Sequence, residues 1–248
     1  MRNLVYDVQR YYRLVAPFLS AELAQRGDAA LWRELGQAHA GGSILEIGCG
    51  CGRVTELLAQ AVGWVVGIDL SPELLAQAQH RLAGSQTALV LADVRRLALR
   101  HQFDLIVAPD DPFSHLLTDA DRQQAFSSVA AQLAPGGRFV LDALWFPPNR
   151  PADGVAQDIT VEGRVVHLTE RWRCDAVSHR CLAEFHYRDS GQATRAHFEA
   201  RYWTPTELRS RLSATGLRST AWWGSYDRQP WDEQRSQHLI VEALRPPD

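Results

Sequence analysis

Glu46, Gly48, Gly50 and Gly52 stand at alternate positions in the run S-I-L-E-I-G-C-G-C-G-R, from Ser43 to Arg53. Glycines admit a tight turn and let backbone approach a ligand where a Cβ would collide. Free N–H groups at the start of a following helix can bind electron-rich ligand atoms. Carboxylates come next at wide intervals: Asp69 ends V-V-G-I-D, Asp93 stands in A-D-V, and Asp110 and Asp111 precede Phe113 and His115 in A-P-D-D-P-F-S-H. An imidazole with an ordinary pKa of ~6.5 can accept a proton near neutrality. His115 is therefore the candidate base, with Asp110 or Asp111 orienting it or binding an ammonium. The competing reading has Ser114 to Leu117 open a short helix in which the histidine only packs.

These residues need elements to hold them. Ser43 to Ile47 is an apolar run fit for a buried strand, and Arg53 to Gln60 turns helical, with Val54, Leu57, Leu58 and Ala61 on one side. A second strand, Trp64 to Asp69, places Asp69 seventeen residues beyond Gly52, at the end of the neighbouring strand of a βαβ unit. A carboxylate there can accept hydrogen bonds from a ligand's hydroxyls. Ser71-Pro72 starts the next helix. A third strand is expected over Ala88–Leu91 and a fourth over Phe103–Val107. A helix over Asp121–Leu133 is followed by a Pro135-Gly136-Gly137 turn and a fifth strand, Arg138–Leu144. Ahead of all these, residues 1–40 read as three helical stretches, with a break or new start at Pro17 and a cap at Asp28. Beyond a loop at 147–151, short strand-like runs at Ile159–Val161, Val165–Trp172, Cys181–Tyr187 and Ala196–Trp203 predict antiparallel hairpins. Thr204-Pro205-x-Glu207 then opens a helix, and two last strands are expected over about Leu217–Tyr226 and His238–Leu244.

Composition narrows the possibilities. At 46% apolar and 22% charged over 248 residues, the chain can bury a full core. All 26 basic residues are arginine, which rules out Schiff-base chemistry, a lysine base and a P-loop lysine. The glycine spacing also differs from the G-x-G-x-x-G of dinucleotide sites. A net charge of −3 gives no case for a nucleic-acid partner. Cys49, Cys51, Cys174 and Cys181 do not resemble a secreted disulfide framework. Cys174, His179 and Cys181 lack the paired knuckles of a structural zinc site, so no metal is expected. With no signal-like start and no apolar run near ~20 residues, a soluble cytoplasmic protein without a membrane partner is expected.

The acid-x-Gly-x-Gly-x-Gly run resembles motif I of the class I S-adenosylmethionine-dependent methyltransferases. Asp69, A-D-V at 92–94 and L-A-P-G-G-R-F-V-L-D at 133–142 follow in that superfamily's order. The likeness is close over residues 43–144 and looser over 200–244, and it is nearest to the small-molecule type that includes glycine and amino-sugar N-methyltransferases. It implies a Rossmann-like α/β three-layer sandwich with N-terminal helices and an antiparallel insertion after strand five. The expected divisions are a helical lid (1–40), a cofactor-binding core (41–145), an insertion (146–203), and a final helix with two core strands (204–248). The implied cofactor is S-adenosylmethionine, held by Tyr12, Glu46, Gly48, Cys49, Gly50, Gly52, Arg53, Asp69, Leu70, Asp93, Val94 and Ala108. In the family the loop wraps the amino-acid portion and a lid tyrosine (Tyr6, Tyr11 or Tyr12 here) touches its carboxylate. Asp69 would take the ribose, Leu70 the adenine face and Asp93 the adenine amino group. Phe113, Trp145 and Tyr202 would line the acceptor pocket. The implied reaction is methyl transfer to nitrogen or oxygen of a small molecule. An atypical intramolecular reaction and a noncatalytic cofactor-binding role are the alternatives. The insertion either covers the site or makes a subunit contact, so a homodimer stays open.

Overall fold

The computed structural model describes residues 4–62, 64–146 and 155–247. The loop expected at 147–151 lies outside them. Five parallel strands, β1 (Ile44–Ile47), β2 (Val65–Asp69), β3 (Thr87–Leu91), β4 (Phe103–Ala108) and β5 (Leu133–Ala143), are joined at β5 by antiparallel β11 (Leu239–Leu244) and then β10 (Arg218–Trp223). The spatial order is β3-β2-β1-β4-β5-β11-β10. β1 is buried along its whole length, as a strand covered on both faces must be. Its alternation sorts the core. Leu45 and Ile47 face Phe126 and Val129 of α5 (Asp119–Gln132) and Leu208 and Leu212 of α6 (Pro205–Ala214). Ile44 faces Leu31, Trp32 and Leu35 of α2 (Ala29–Ala38) and Leu57 and Leu58 of α3 (Arg53–Val62). The turn expected at Pro135–Gly137 is absorbed into β5 as an irregularity, where the register against β4 jumps between Phe103 and Leu105.

The N-terminal region differs from expectation. α1 (Leu4–Leu23) runs unbroken through Pro17. The proline forfeits one backbone hydrogen bond, but Val15, Ala16 and Leu19 around it are buried, and Ala16 and Leu19 pack on Leu74 of α4 (Pro72–Arg81). Asp28 stands before α2 without capping it. It is fully buried, accepts Trp32 Nε1 at 2.9 Å and takes a bidentate pair of 2.7 Å bonds from Arg53.

After β5 the chain builds a second sheet, β6 (Val155–Val161), β7 (Arg164–Cys174), β8 (Arg180–Arg188) and β9 (Ala193–Arg201), antiparallel in that order. Glu162 and Gly163, both at positive φ, make the two-residue turn between β6 and β7. The inner face, with Ile159, Leu168, Phe185 and Tyr187, packs on Tyr11 and Val15 of α1. Cys174 and Cys181 lie directly opposite each other on β7 and β8 and form a disulfide. This corrects the cysteine reading: the hairpin register that pairs them is not visible in their spacing. The excursion closes on itself, because Trp203 N donates to Leu144 O at 3.0 Å. Among the described residues no helix is long and apolar enough to cross a membrane.

Candidate active site

Two adjoining cavities open beyond the C-terminal ends of β1, β2 and β4. The first is lined by Glu46, Gly48, Cys49, Gly50, Arg53, Asp69, Leu70, Asp93 and Val94, with Tyr12 and His115 on its far side. The strand–turn–helix geometry explains the lining. Asp69, at the tip of β2, is buried and accepts Gly50 N and Ser71 N, both at 2.8 Å. Burial raises its pKa, and these backbone donors work against the rise. Each oxygen keeps a second lone pair for a ligand hydroxyl. Gly50 has φ +52, and a Cβ built there would find only Leu74 Cδ1, at 3.9 Å, so the space beside it is open. Glu46 is 2% exposed and bonded by Thr55 Oγ1 at 2.5 Å; burial pushes it up to about 8, so it is protonated at neutrality. The carboxylate of Asp93 is buried in part, yet hydrogen bonds from Arg95 outweigh that and hold it below the usual range. Arg53 spends its fork on Asp28, and its buried Nε has no partner among the described residues.

Two of the expected cofactor residues are placed elsewhere. Gly52 does not reach the cavity: a Cβ there would stand 3.1 Å from Ala78 Cβ, so the missing side chain serves α3–α4 packing. Ala108 is fully buried in β4, and Pro109 and Pro112 take its place in the wall.

The second cavity, of about 250 Å³, lies between α1, the end of β5 and the inserted sheet. It shares Tyr12, Leu19, Leu23, Asp110 and His115 with the first. Tyr12 OH and His115 Nε2 are 3.0 Å apart in this common wall. Burial lowers His115 to about 4 and raises the Tyr12 hydroxyl, so both are neutral near pH 7. Trp145, Trp172, Phe185 and Phe198 supply aromatic lining, and Glu22, Asp110, Asp142 and Glu170 supply carboxylates. Arg26 ties the rim together. It pairs with Asp110, donates to Tyr226 OH at 2.9 Å and reaches Asp142 at 3.4 Å, while Tyr226 OH donates to Asp142 at 3.0 Å. Asp110 and Asp111 both have positive φ, a backbone state that aspartate tolerates better than most residues.

Three further expectations are corrected here. Asp111 borders the chamber, but it neither orients His115 nor offers a free oxygen. Its carboxylate accepts Phe113 N at 3.1 Å, Leu144 N at 2.8 Å and Trp203 Nε1 at 2.8 Å, stapling the loop to both ends of the inserted excursion. Phe113 is fully buried against Phe126 and Phe139 and touches neither cavity. Tyr202 packs on Phe146 and His179 outside the chamber. Trp145 does line it, and its buried Nε1 has no partner among the described residues. Sequence reasoning missed Leu4, Val8, Leu19 and Leu23 of α1, the Arg26–Asp142 pair, and Glu22 and Phe198. For Phe198 a signal existed: the alternation in A-H-F-E-A marks an inward residue on a strand.

A family model described as "Methyltransferase domain" matches residues 44–137. A cypemycin N-terminal methyltransferase from a Streptomyces species is 25% identical over 224 residues, 90% of this chain and 91% of that protein. The dTDP-3-amino-3,4,6-trideoxy-alpha-D-glucopyranose N,N-dimethyltransferase of Streptomyces venezuelae is 27% identical over 71% of this chain and 75% of its own. Among solved structures, an amino pentose methyltransferase from Micromonospora echinaspora, with S-adenosylmethionine bound, superposes with a TM-score of 0.67 at 25% identity, covering 99% of this chain and 98% of that one.

Proposed function

We propose that this chain, a class I S-adenosylmethionine-dependent methyltransferase, methylates the nitrogen of a small-molecule amine. The observation that carries the choice of nitrogen is the neutral, buried Tyr12–His115 pair in the wall common to both cavities. An alcohol must surrender its proton as it attacks the methyl group, and an imidazole that titrates near 4 is too weak to take it. Drawing a proton from an ammonium of ordinary pKa ~10 would cost that imidazole ~8 kcal/mol. A neutral amine carries its own lone pair and needs only to be held. The chamber's carboxylates gather amines from solution in their abundant cationic form; the ammonium gives its proton to water before transfer, and His115 and Tyr12 orient the neutral amine by hydrogen bonds. The reading also accords with the names of two relatives, an N-terminal methyltransferase and an amino-sugar N,N-dimethyltransferase.

In this reading the first cavity holds S-adenosylmethionine, which when bound supplies a methyl group made electrophilic by its sulfonium. Gly48 to Gly50 leave room for its amino-acid portion, Asp69 takes the ribose hydroxyls, and Leu70, Asp93 and Val94 meet the adenine. Tyr12 closes the end nearest the acceptor. Catalysis is then chiefly positioning. Mass spectrometry and NMR of products from pools of amines and alcohols test the reading. An N-methyl product is expected, and an O-methyl product refutes it. In single turnover, His115→Gln should slow transfer about tenfold while keeping the wild-type pH profile between pH 6 and 9. Loss of a titrating limb would instead make His115 the base.

A further inference from the structure

We propose, on the basis of the amine reading above, that Glu22 is the specificity residue of the acceptor chamber, binding a second cationic nitrogen remote from the one that is methylated. Glu22 lines the second cavity and not the first. Its Oε2 accepts the Tyr187 hydroxyl at 2.8 Å. Tyr187 is itself 1% exposed and stacked on Phe18 at 4.3 Å, so the carboxylate is held in place from behind. No described residue donates to Oε1. Arg26, in the turn that follows this helix, is committed to Asp110, Asp142 and Tyr226. A carboxylate kept on a cavity wall with one oxygen uncommitted awaits a donor, and a cationic donor gains most there.

The wall between Glu22 and the transfer point suits a cation as well. His115 meets Phe198 at 4.7 Å, Phe198 stacks on Phe185 at 5.8 Å, and Tyr11 stands 4.7 Å from Phe198. Aromatic faces attract cations and are indifferent or hostile to anions. Burial pushes Glu22 up to about 7, with Glu170 and Asp110 adding to the rise and the Tyr187 hydrogen bond and the charge of Arg26 working against it. Tyr12 and Glu22 are ten residues apart on α1, about 15 Å between Cα atoms at the helical rise. An acceptor that reaches both must therefore carry its second charge several bonds from the reacting nitrogen. The class is a diamine, or an amine with a distal basic group; an acceptor with a distal phosphate or carboxylate is disfavoured.

Three probes with six carbons each isolate the distal charge: 1,6-diaminohexane, hexylamine and 6-aminohexanoate. They are titrated calorimetrically at pH 7.5 into the full chain loaded with S-adenosylhomocysteine. The expected order is diamine, then monoamine, then amino acid, with at least tenfold between the first two. In Glu22→Gln that ratio should fall to about one. Hexylamine binding as tightly as the diamine, no diamine binding at millimolar concentration, or a ratio kept in Glu22→Gln would each overturn the proposal. The wild-type order decides the matter even if the variant fails to fold. A methyl group found on oxygen would sink the amine reading through a separate readout.

Discussion

Replacing Glu46 by glutamine tests the electrostatics of the site at its most buried acid. The carboxyl is 2% exposed, and among the described residues its one hydrogen-bond donor is Thr55 Oγ1, at 2.5 Å. Burial moves it from 4.5 to about 8. A carboxyl whose folded pKa lies above its unfolded value is penalised as it ionises, so stability is lost as pH rises from the unfolded pKa to the folded one. The window is therefore about pH 4.5 to 8. At about 1.36 kcal/mol per pH unit, the full displacement is worth ~5 kcal/mol, most of it already expressed at pH 7.5 and less than ~1 kcal/mol at pH 5. Glutamine keeps the shape and the acceptor for Thr55 but does not titrate. Urea unfolding followed by tryptophan fluorescence should place Glu46→Gln within ~1 kcal/mol of wild type at pH 5 and on the order of 2–4 kcal/mol above it at pH 7.5, with unchanged m-values. Parallel pH–stability curves for the two proteins would refute the reasoning.

Two other substitutions probe the rim and the glycine turn. Arg26→Met removes the cation facing Asp142, which burial already raises to about 6 and which should then rise further; the loss should be about 3 kcal/mol at pH 8 and shrink as pH falls from 8 to 6, read by thermal or urea melts. Gly50→Val fills the open space beside a residue at φ +52 and should abolish S-adenosylmethionine binding by calorimetry in a folded protein; unchanged affinity would remove Gly50 from that wall.

How far the sequence alone reached depended on the range of the signal. The strand–glycine–helix run and Asp69 are local patterns whose geometry follows from a few neighbouring residues, and each stands where its spacing implied. Features set by contacts between distant segments were illegible. Pro17 reads as a break, but the packing of Ala16 and Leu19 on Leu74 overrides it. Asp111 and His115 share one short loop and read as a catalytic pair. Yet Asp111 is claimed by Leu144 and Trp203, which lie 33 and 92 residues away. Tyr202 looks suited to a pocket because it is aromatic and borders a sheet end, and Phe113 because it stands in the loop after the fourth strand; only the packing shows which aromatic faces are covered. The Cys174–Cys181 bond depended on a hairpin register that no local pattern fixes.

The closure of the inserted excursion at Leu144 and Trp203, stapled by Asp111, bears on how such a chain diversifies. The segment leaves and rejoins the core at one hydrogen-bonded point, while its sheet packs on α1 and Arg201 of β9 pairs with Glu207 of α6. It supplies Trp172, Phe185 and Phe198 to the acceptor chamber, while the glycine turn and Asp69 sit on a separate stretch of chain. That part of the acceptor wall is thereby separated in the chain from the methyl-donor machinery, while Tyr12, Glu22 and His115 stay with the core. New acceptors can be explored by recombination or grafting between residues 145 and 202, and the junction itself tells an engineer where to cut.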